Sequence, residues 1–546
     1  MTADLPVRIV AISGPVGAGK STLAKDLALR FRLAHIRTQD LMRDAANDRS
    51  ASIEPTRRAM QDYGEALDRE TDGRWVAEGV AKLIAGGYVE GPIVIVDSVR
   101  LIEQVDRLRD AFPGRVTHVY LEAPRAVLAE RYSLRENSGL EELPSYDEVA
   151  ENETERLIAN LEHDADVSID TVRSTRSDVV TRVAAALSLD GSRHSRLVDV
   201  YVGGQYGSEG KGNVAYHLAA EYEVLMRVGG PNAGHKVPTD PDPKTHRQLP
   251  SGALANPTAK LLIGPGATVS VEVLLTEIAD CGVDIERLFI DPQAMIIEDS
   301  DVEAEKGLVG DIGSTGRGGG SAAARRIMGR GSTTAGVRLA RDVEVLAPYI
   351  HLTGPILEDT FRAGGLVMLE GTQGTHLSMY HGAYPYVTSR DTTVSGTLAE
   401  AGIPPHRVRR VVMVIRTYPI RVGSPPKGTS GGIEQETTWD VIAERSGLDP
   451  KEIKKVEVGS VTSRERRVGE FDWTQLARSA QLNGPTDIAM TFVDYLHIDN
   501  RNARRYDQLN NETIHFIEEV ERVAGAPVSL ISTGFDQRSL IDRREW

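Results

Sequence analysis

Two glycine-rich stretches, each between an apolar run and a helical pattern, have the composition needed to hold a phosphate. The first is Gly14-Pro15-Val16-Gly17-Ala18-Gly19-Lys20-Ser21-Thr22. It fits the Gly-x-x-x-x-Gly-Lys-Ser/Thr phosphate loop in full. Gly14, Gly17 and Gly19 let backbone N–H groups approach an anion at a helix N-terminus. Lys20 is placed to reach the β- and γ-phosphates, and Ser21 to bind Mg²⁺. Asp97 closes the apolar run Ile93–Val96 and is a candidate carboxylate for the same ion. The second stretch, Gly203-Gly204-Gln205-Tyr206-Gly207-Ser208-Glu209-Gly210-Lys211-Gly212, follows Leu197–Val202. It departs from the pattern twice, with Gln205 at the first glycine and Gly212 at the Mg²⁺-binding hydroxyl. Its five glycines still expose amides, and Lys211 can neutralise an anion.

The elements around these loops predict an α/β protein of two domains. Residues 1–187 alternate short apolar runs (Arg8–Ile12, Pro92–Asp97, Val116–Leu121) with helical stretches, beginning with Ser21–Phe31. That alternation implies a parallel sheet covered on both faces. Residues 188–197 are polar, carry a glycine and read as a linker. Residues 198–546 form a larger α/β unit, with strand candidates at 260–263, 366–369, 411–415, 488–492 and 528–531. In the first unit Asp40, Arg43 and Arg100 are candidate acceptor-site residues. Arg125, Arg131 and Arg135 suit either a lid over a transferring phosphoryl group or an exposed helix face.

Composition narrows the function. The 546 residues exceed one ordinary core. A formal net charge of −16 argues against non-specific nucleic-acid binding, so anionic substrates must be met by local Lys, Arg and amides. One cysteine, Cys281, excludes an internal disulfide and a cysteine-based zinc site. No apolar run is long enough to span a bilayer, and no leader pattern is read at the N-terminus. Neither nucleic acid nor membrane is expected as a partner; a cytoplasmic location is.

Six segments of residues 198–546 together resemble the adenylosuccinate synthetase family, and in its order. They are the loop 203–212, Gly229–Lys236, Gly313–Gly320, Leu369–Thr375 with Tyr384–Ser389, Ser460–Arg467, and Met490–Leu496 with Ser532-Thr533-Gly534. The first domain is similar to small-molecule P-loop kinases of the nucleoside monophosphate and dephospho-coenzyme A type. The resemblance implies a purine nucleoside monophosphate, L-aspartate and a nucleoside triphosphate as substrates, Mg²⁺ as cofactor, and a homodimer. It implies that Lys211, with Gly207, Gly210 and Gly212, holds the transferred phosphate. His235 matches the general acid of the family, Gly234 a carbonyl ligand of Mg²⁺, and Asn232 belongs to the same nucleotide-binding loop. Thr315 and Thr388 match residues on the 5′-phosphate, and Gln373 one that hydrogen-bonds the purine. Thr462, Arg464 and Arg466 match the aspartate-binding loop. Arg325, Arg326 and Arg330 are the candidates for the arginine that crosses to the partner's nucleotide, and spacing does not choose among them. Asp494, Ser532 and Gly534 match the base-reading side for the triphosphate. Phe492 replaces a family lysine there, which leaves GTP, ATP and dATP open as donors.

Ser208 is the departure that matters most. The family has an aspartate there, both a base for the purine N1 proton and a likely metal ligand. Serine at neutral pH cannot take up that proton; its hydroxyl is left as a weaker candidate ligand. A branch of the superfamily carries serine at this position and uses dGMP, forming a 2-amino-N6-succinyladenine nucleotide. A shorter, neutral side chain leaves room for a 2-amino group and can accept its hydrogen bond. The sequence therefore predicts a ligase acting on dGMP or GMP, with a nucleotide kinase-like domain before it. The alternatives are a conventional IMP-using synthetase and a nucleotide sensor with a silent first domain.

Overall fold

Short apolar runs that end in glycine become parallel strands in both halves of the chain. The computed structural model describes residues 7–51, 53–89, 91–134, 145–189, 195–331, 336–457, 465–536 and 538–544. The chain divides between Gly191 and Ser192 into two compact units.

The amino-terminal unit holds a five-stranded parallel sheet. Its order is Ala34–Arg37, Ile93–Asp97, Arg8–Ser13, Val116–Glu122, Val167–Asp170. Arg8–Ser13 is central, so its side chains are buried on both faces and read as an apolar run rather than an alternation. The chain leaves this strand through the phosphate loop and enters the helix Lys20–Phe31. Gly14 has φ +131°, and a Cβ there would lie 2.1 Å from the Leu121 carbonyl oxygen. Only glycine lets the loop pass this close to the neighbouring strand.

The carboxy-terminal unit is built on a nine-stranded sheet. Across it run Leu288–Ile290, Lys260–Ile263, Val224–Arg227, Val367–Glu370, Val198–Gly203, Val408–Arg416, Asp487–Thr491, Val528–Ser532 and Leu540–Asp542. All neighbours are parallel except the last pair. Val198, Val200 and Val202 pack into one core with Met413 and Ile488. Tyr201 faces the other core, with Leu225 and Met368. Among the described residues, no helix is long and apolar enough to cross a membrane.

This topology converges the motifs. Segments beginning at Gly204, Val228, Gly371, Thr417, Phe492 and Thr533 all leave the carboxyl ends of parallel strands, where open α/β sheets form their ligand crevices. Residues 313–317 instead lead into the helix Gly319–Met328. The crossing is tight at Gly229, whose φ is +111° and whose added Cβ would lie 2.3 Å from Thr372 Oγ1. Gly229→Ala is expected to destabilise the carboxy-terminal unit by about 1–3 kcal/mol, through backbone strain alone. Urea unfolding of the full chain checks this.

Candidate active site

In the amino-terminal unit the phosphate loop lines a cavity of about 690 Å³. Lys20 folds back over the loop, its Nζ donating to the carbonyls of Gly14 (2.6 Å) and Pro15 (2.9 Å). Burial pushes the Asp97 carboxyl up, but hydrogen bonds from His35 and Ser21 and the charge of Lys20 outweigh it, leaving it below its ordinary value. Ser21 and Asp97 thus form the hydroxyl–carboxylate pair that a phosphate-bound Mg²⁺ uses. Arg100 and Arg131 line the cavity. Arg131 also donates to the Thr171 side chain at 2.8 Å and the Thr171 carbonyl at 3.1 Å. Asp40 and Arg43 lie outside the cavity lining, Asp40 in a surface pair with Arg37 at 2.8 Å. Arg125 is exposed and paired with Asp147 at 2.7 Å. Arg135 lies outside the described residues.

In the carboxy-terminal unit the second loop is organised around Glu209, a fully buried carboxylate to which sequence reasoning gave no role. It accepts from the backbone N–H of Gln205 (3.0 Å) and Gly207 (2.7 Å) and from Lys211 Nζ (2.7 Å). The donors expected to meet a phosphate therefore hold the chain's own anion. Gly210 caps the helix Lys211–Leu218 in the left-handed region. A Cβ on Gly212 would lie 2.7 Å from His235 Cβ, and one on Gly207 would lie 2.9 Å from Gln373 Cα. These close approaches bring Lys211, His235, Ser208 and Gln373 around one loop. Gln373 holds φ +58° and its Oε1 accepts from Thr372 at 2.8 Å.

His235 is buried and oriented by Glu370, the residue that ends the strand Val367–Glu370. The His235 Nδ1 contacts Glu370 Oε1, while Nε2 is buried without a partner among the described residues. Glu370 is itself held by Ser251 N–H at 2.8 Å, by the Ser251 hydroxyl, and by Arg227 at 3.8 Å. Burial, with the charge of Arg227, lowers the His235 pKa to about 4. Burial thus favours the neutral imidazole, with Nδ1–H on the carboxylate, while the Glu370 charge pulls toward the protonated form. An anion arriving at Nε2 raises its proton affinity again. A carboxylate at the end of an apolar strand, the signal that selected Asp97, also marks Glu370.

The remaining segments close around this centre. Ser389, next to Thr388, meets the first turn of the helix Gly319–Met328, since a Cβ on Gly320 would lie 3.0 Å from Ser389 Cβ. Thr315 sits in the loop before that helix, half-buried. Glu305 accepts from Gly318 N (2.7 Å), Gly320 N (2.6 Å) and Ser321 N (3.1 Å). Asn232 Oδ1 is buried and without a partner among the described residues, 3.3 Å from where a Gly319 Cβ would stand. Arg325 is bound to Asp301 at 2.6 Å, and Arg326 donates to the Gln293 carbonyl at 2.7 Å. Arg330 is exposed, its Nε on the Ile327 carbonyl at 2.9 Å. On the base-reading side, Thr491 Oγ1 donates to the Glu209 carbonyl at 2.7 Å, and Asn213 to Ser532 Oγ at 3.3 Å. Ser532 Oγ donates to the Gly534 carbonyl at 2.8 Å. Asp494 is buried with Oδ1 lacking a partner among the described residues, and burial pushes its carboxyl up to about 6.

Arg416 and Glu457 tie these parts together. Both are fully buried and paired at 2.7 Å. Arg416 Nη1 donates to the Ser208 carbonyl at 3.3 Å, and its guanidinium lies 4.0 Å from the Phe492 ring centroid. Glu457 also holds Arg466 at 3.0 Å and the Tyr495 hydroxyl at 3.1 Å. Arg466 is thus placed by an internal carboxylate. Thr462 and Arg464 lie outside the described residues. Among the described residues no cluster of three His, Cys, Asp or Glu could hold a metal. The donors that the resemblance assigns, the Gly234 carbonyl and the Ser208 hydroxyl, are hard oxygen ligands of the type that suits a Mg²⁺ held largely by substrate phosphates.

The chain matches the family model described as adenylosuccinate synthetase over residues 200–342 and 334–500, and that of an AAA domain over 13–145. It is 40% identical to adenylosuccinate synthetase of Pyrococcus sp. (strain ST700) over 355 residues, covering 63% of this chain and 98% of that protein. Among solved structures, it is similar to the succinoaminodeoxyadenylate synthetase of cyanophage S-2L, bound to dGMP and dATP as an energy donor. That match has 27% identity and a TM-score of 0.54, covering 64% of this chain and 96% of that one. The fully ligated adenylosuccinate synthetase of Plasmodium falciparum shares the fold at 22% identity and a TM-score of 0.54, over 64% of this chain and all of its own.

Glu457→Gln strands the Arg416 charge and is expected to cost about 3–5 kcal/mol. Arg416→Met with Glu457→Leu should recover most of that, as read by urea unfolding of the two variants against the parent. For Asp494, the folded state holds more proton than the unfolded chain between its ordinary value and about 6. Ionising it therefore lowers stability as pH rises through that window. A bound base that donates N–H needs the ionised form. The KM for the triphosphate is expected to rise as pH falls through about 6, and Asp494→Asn should flatten that profile in initial-rate assays.

Proposed function

The chain belongs to the adenylosuccinate synthetase family, and from that premise we propose that its carboxy-terminal unit joins L-aspartate to C6 of guanylate, dGMP or GMP. A nucleoside triphosphate and Mg²⁺ drive the reaction, and the product is a 2-amino-N6-succinyladenine nucleotide. The observation that carries this is Ser208. It stands in the loop packed on Gln373, where the family's aspartate would crowd a 2-amino group. The cyanophage enzyme bound to dGMP supports the reading.

On this reading the site residues divide the work as follows. The triphosphate competes with Glu209 for Lys211 and for the Gln205 and Gly207 amides. His235, with Nδ1–H on Glu370, turns Nε2 toward the departing phosphate; with that anion drawing a proton onto Nε2 and Glu370 balancing the charge, the imidazolium is the acid for the leaving oxygen. Mg²⁺ held by phosphate oxygens, the Gly234 carbonyl and Ser208 would neutralise charge on the transferred group. Gln373 orients the purine, and Thr315, Thr388 and Asn232 take its 5′-phosphate side. Asp494, Ser532 and Gly534 take the donor base, GTP, ATP or dATP. Thr462, Arg464 and Arg466 take the aspartate carboxylates. Arg325 and Arg326 are half-buried and engaged within their own chain, whereas Arg330 is exposed, which favours it as the residue reaching a partner subunit's nucleotide in a homodimer. The amino-terminal unit acts as a small-molecule kinase, with Lys20, Ser21 and Asp97 at the donor phosphates.

The conventional reading, with IMP as substrate, is favoured by the higher identity to the Pyrococcus enzyme. Phosphate release measured with dGMP, GMP and IMP, each with aspartate and triphosphate, separates the two. Guanylate turnover is expected, and Ser208→Asp should lower it while favouring IMP, since the carboxylate crowds a 2-amino group and supplies a base for the N1 proton. Parent enzyme that consumes IMP and leaves guanylate untouched overturns the assignment.

A further inference from the structure

We propose that Asn213 shares with Asp494 the reading of the donor base. The two accept N–H groups of an exocyclic amine, so the triphosphate used by the carboxy-terminal unit is an amino-substituted purine. This rests on the ligase reading and on the loops after Asp487–Thr491 and Val528–Ser532 as the side that takes the donor base.

Asn213 stands in the first turn of the helix Lys211–Leu218. That helix packs on both loops at once. A Cβ on its capping residue Gly210 would lie 3.4 Å from Thr491 Cγ2 and 3.7 Å from Phe492 Cε2. One turn on, Asn213 Nδ2 donates to Ser532 Oγ at 3.3 Å. Asn213 is therefore held beside the strand ends that lead to Asp494 and Gly534.

A neighbouring hydroxyl fixes which way the carboxamide faces. The Gly534 carbonyl only accepts, so Ser532 Oγ spends its proton there, at 2.8 Å. Ser532 Oγ must then accept from Asn213, which turns Nδ2 toward it and leaves Oδ1 on the other side. Asn213 is 4% exposed, and its Oδ1 has no partner among the described residues. Asp494 is 6% exposed and likewise keeps Oδ1 unspent. Four residues along from Asn213, His217 lies on the same helix face, its Nε2 also buried and without a partner among them. Unmet polar atoms along one face belong beside a polar ligand rather than in a dry core.

The cations nearby are engaged elsewhere. Arg501 binds Glu452 at 3.2 Å and comes only within 3.9 Å of Asp494 Oδ2, and Arg504 Nη1 donates to Thr533 Oγ1 at 3.4 Å. Phe492 has no N–H to give, and its ring covers Arg416. The two unspent oxygens are thus left for N–H donors on the ligand. An exocyclic amine supplies two from one nitrogen. Adenine carries such an amine at C6 and guanine at C2. Hypoxanthine carries none: its single N1–H answers Asp494 and leaves Asn213 Oδ1 bare. A site built to hydrogen-bond a substrate N–H discriminates against the analogue that lacks it.

The test uses the full chain with Mg²⁺ and aspartate and follows the N6-succinyl product, which the carboxy-terminal unit makes. ATP, GTP and ITP are offered separately, with whichever of dGMP, GMP and IMP the enzyme consumes. The KM for ITP is expected to lie about tenfold or more above that of the better amino-purine triphosphate, the loss of one buried hydrogen bond. The ATP and GTP arms show whether the amine read is at C6 or C2. Asn213→Leu should raise the KM for the preferred triphosphate by about tenfold and leave the KM values for ITP, the monophosphate and aspartate unchanged, so that the donors become equal. If Asn213→Leu does not fold, the parent's preference against ITP decides alone. Parent enzyme that uses ITP as well as ATP and GTP, or an Asn213→Leu enzyme that keeps the parent's preference, overturns the role of Asn213. Turnover of IMP with none of guanylate overturns the guanylate assignment and leaves the donor comparison to be read with IMP. No succinyl product with any triphosphate overturns both.

Discussion

The carboxy-terminal site depends on one buried ion pair, Arg416 with Glu457. Two charges removed from water are tolerable only when each is fully partnered. Here the partners are the site itself. Arg416 reaches the Ser208 carbonyl and stacks on Phe492, and Glu457 holds Arg466 and Tyr495. Gln205 closes the ring, exchanging two 3.0 Å hydrogen bonds with the Arg416 backbone. Phosphate loop, base-reading loop and the arginine ahead of strand Arg467–Gly469 therefore share one electrostatic anchor. None can move without exposing or stranding a charge.

A second constraint repeats around that anchor. The glycine-rich anion sites are not left open. Glu209 fills the loop 203–212, and Glu305 fills the amides at the start of the helix Gly319–Met328. Each carboxylate keeps N–H groups converged in a site that would otherwise repel its own dipoles. Glu370 does the same for His235, fixing the tautomer and holding Nε2 toward the substrate side. Preorganised donors of this kind need little rearrangement as the reaction charge develops. On the proposed reading, a phosphate entering the loop 203–212 exchanges with a carboxylate rather than ordering a loose loop.

Much of this was legible in the residues. The alternation of apolar runs and helical stretches gave the α/β class, because strands buried on both faces leave continuous Val/Ile/Leu runs. Gly14–Thr22 named its own chemistry, since that spacing has few other uses. The six segments gave the family because their order is specific even where each alone is weak. Arg125 and Asp40 show the limit: a charged residue near a motif in sequence reads the same whether it lines a cavity or pairs on the surface.

The sequence by itself determined the elements, the two phosphate loops and the serine at position 208, because these are local properties of spacing and residue type. Only the tertiary structure decided which carboxylates matter. Glu370 shares with Asp97 its place at the end of an apolar strand, but nothing beside Glu209 or Glu457 in the chain marks its partner, and Glu457 lies 41 residues from the arginine it neutralises. Their roles come from burial beside a particular donor. Burial is set by how parallel strands bring distant loops to one end of the sheet, which no local pattern encodes.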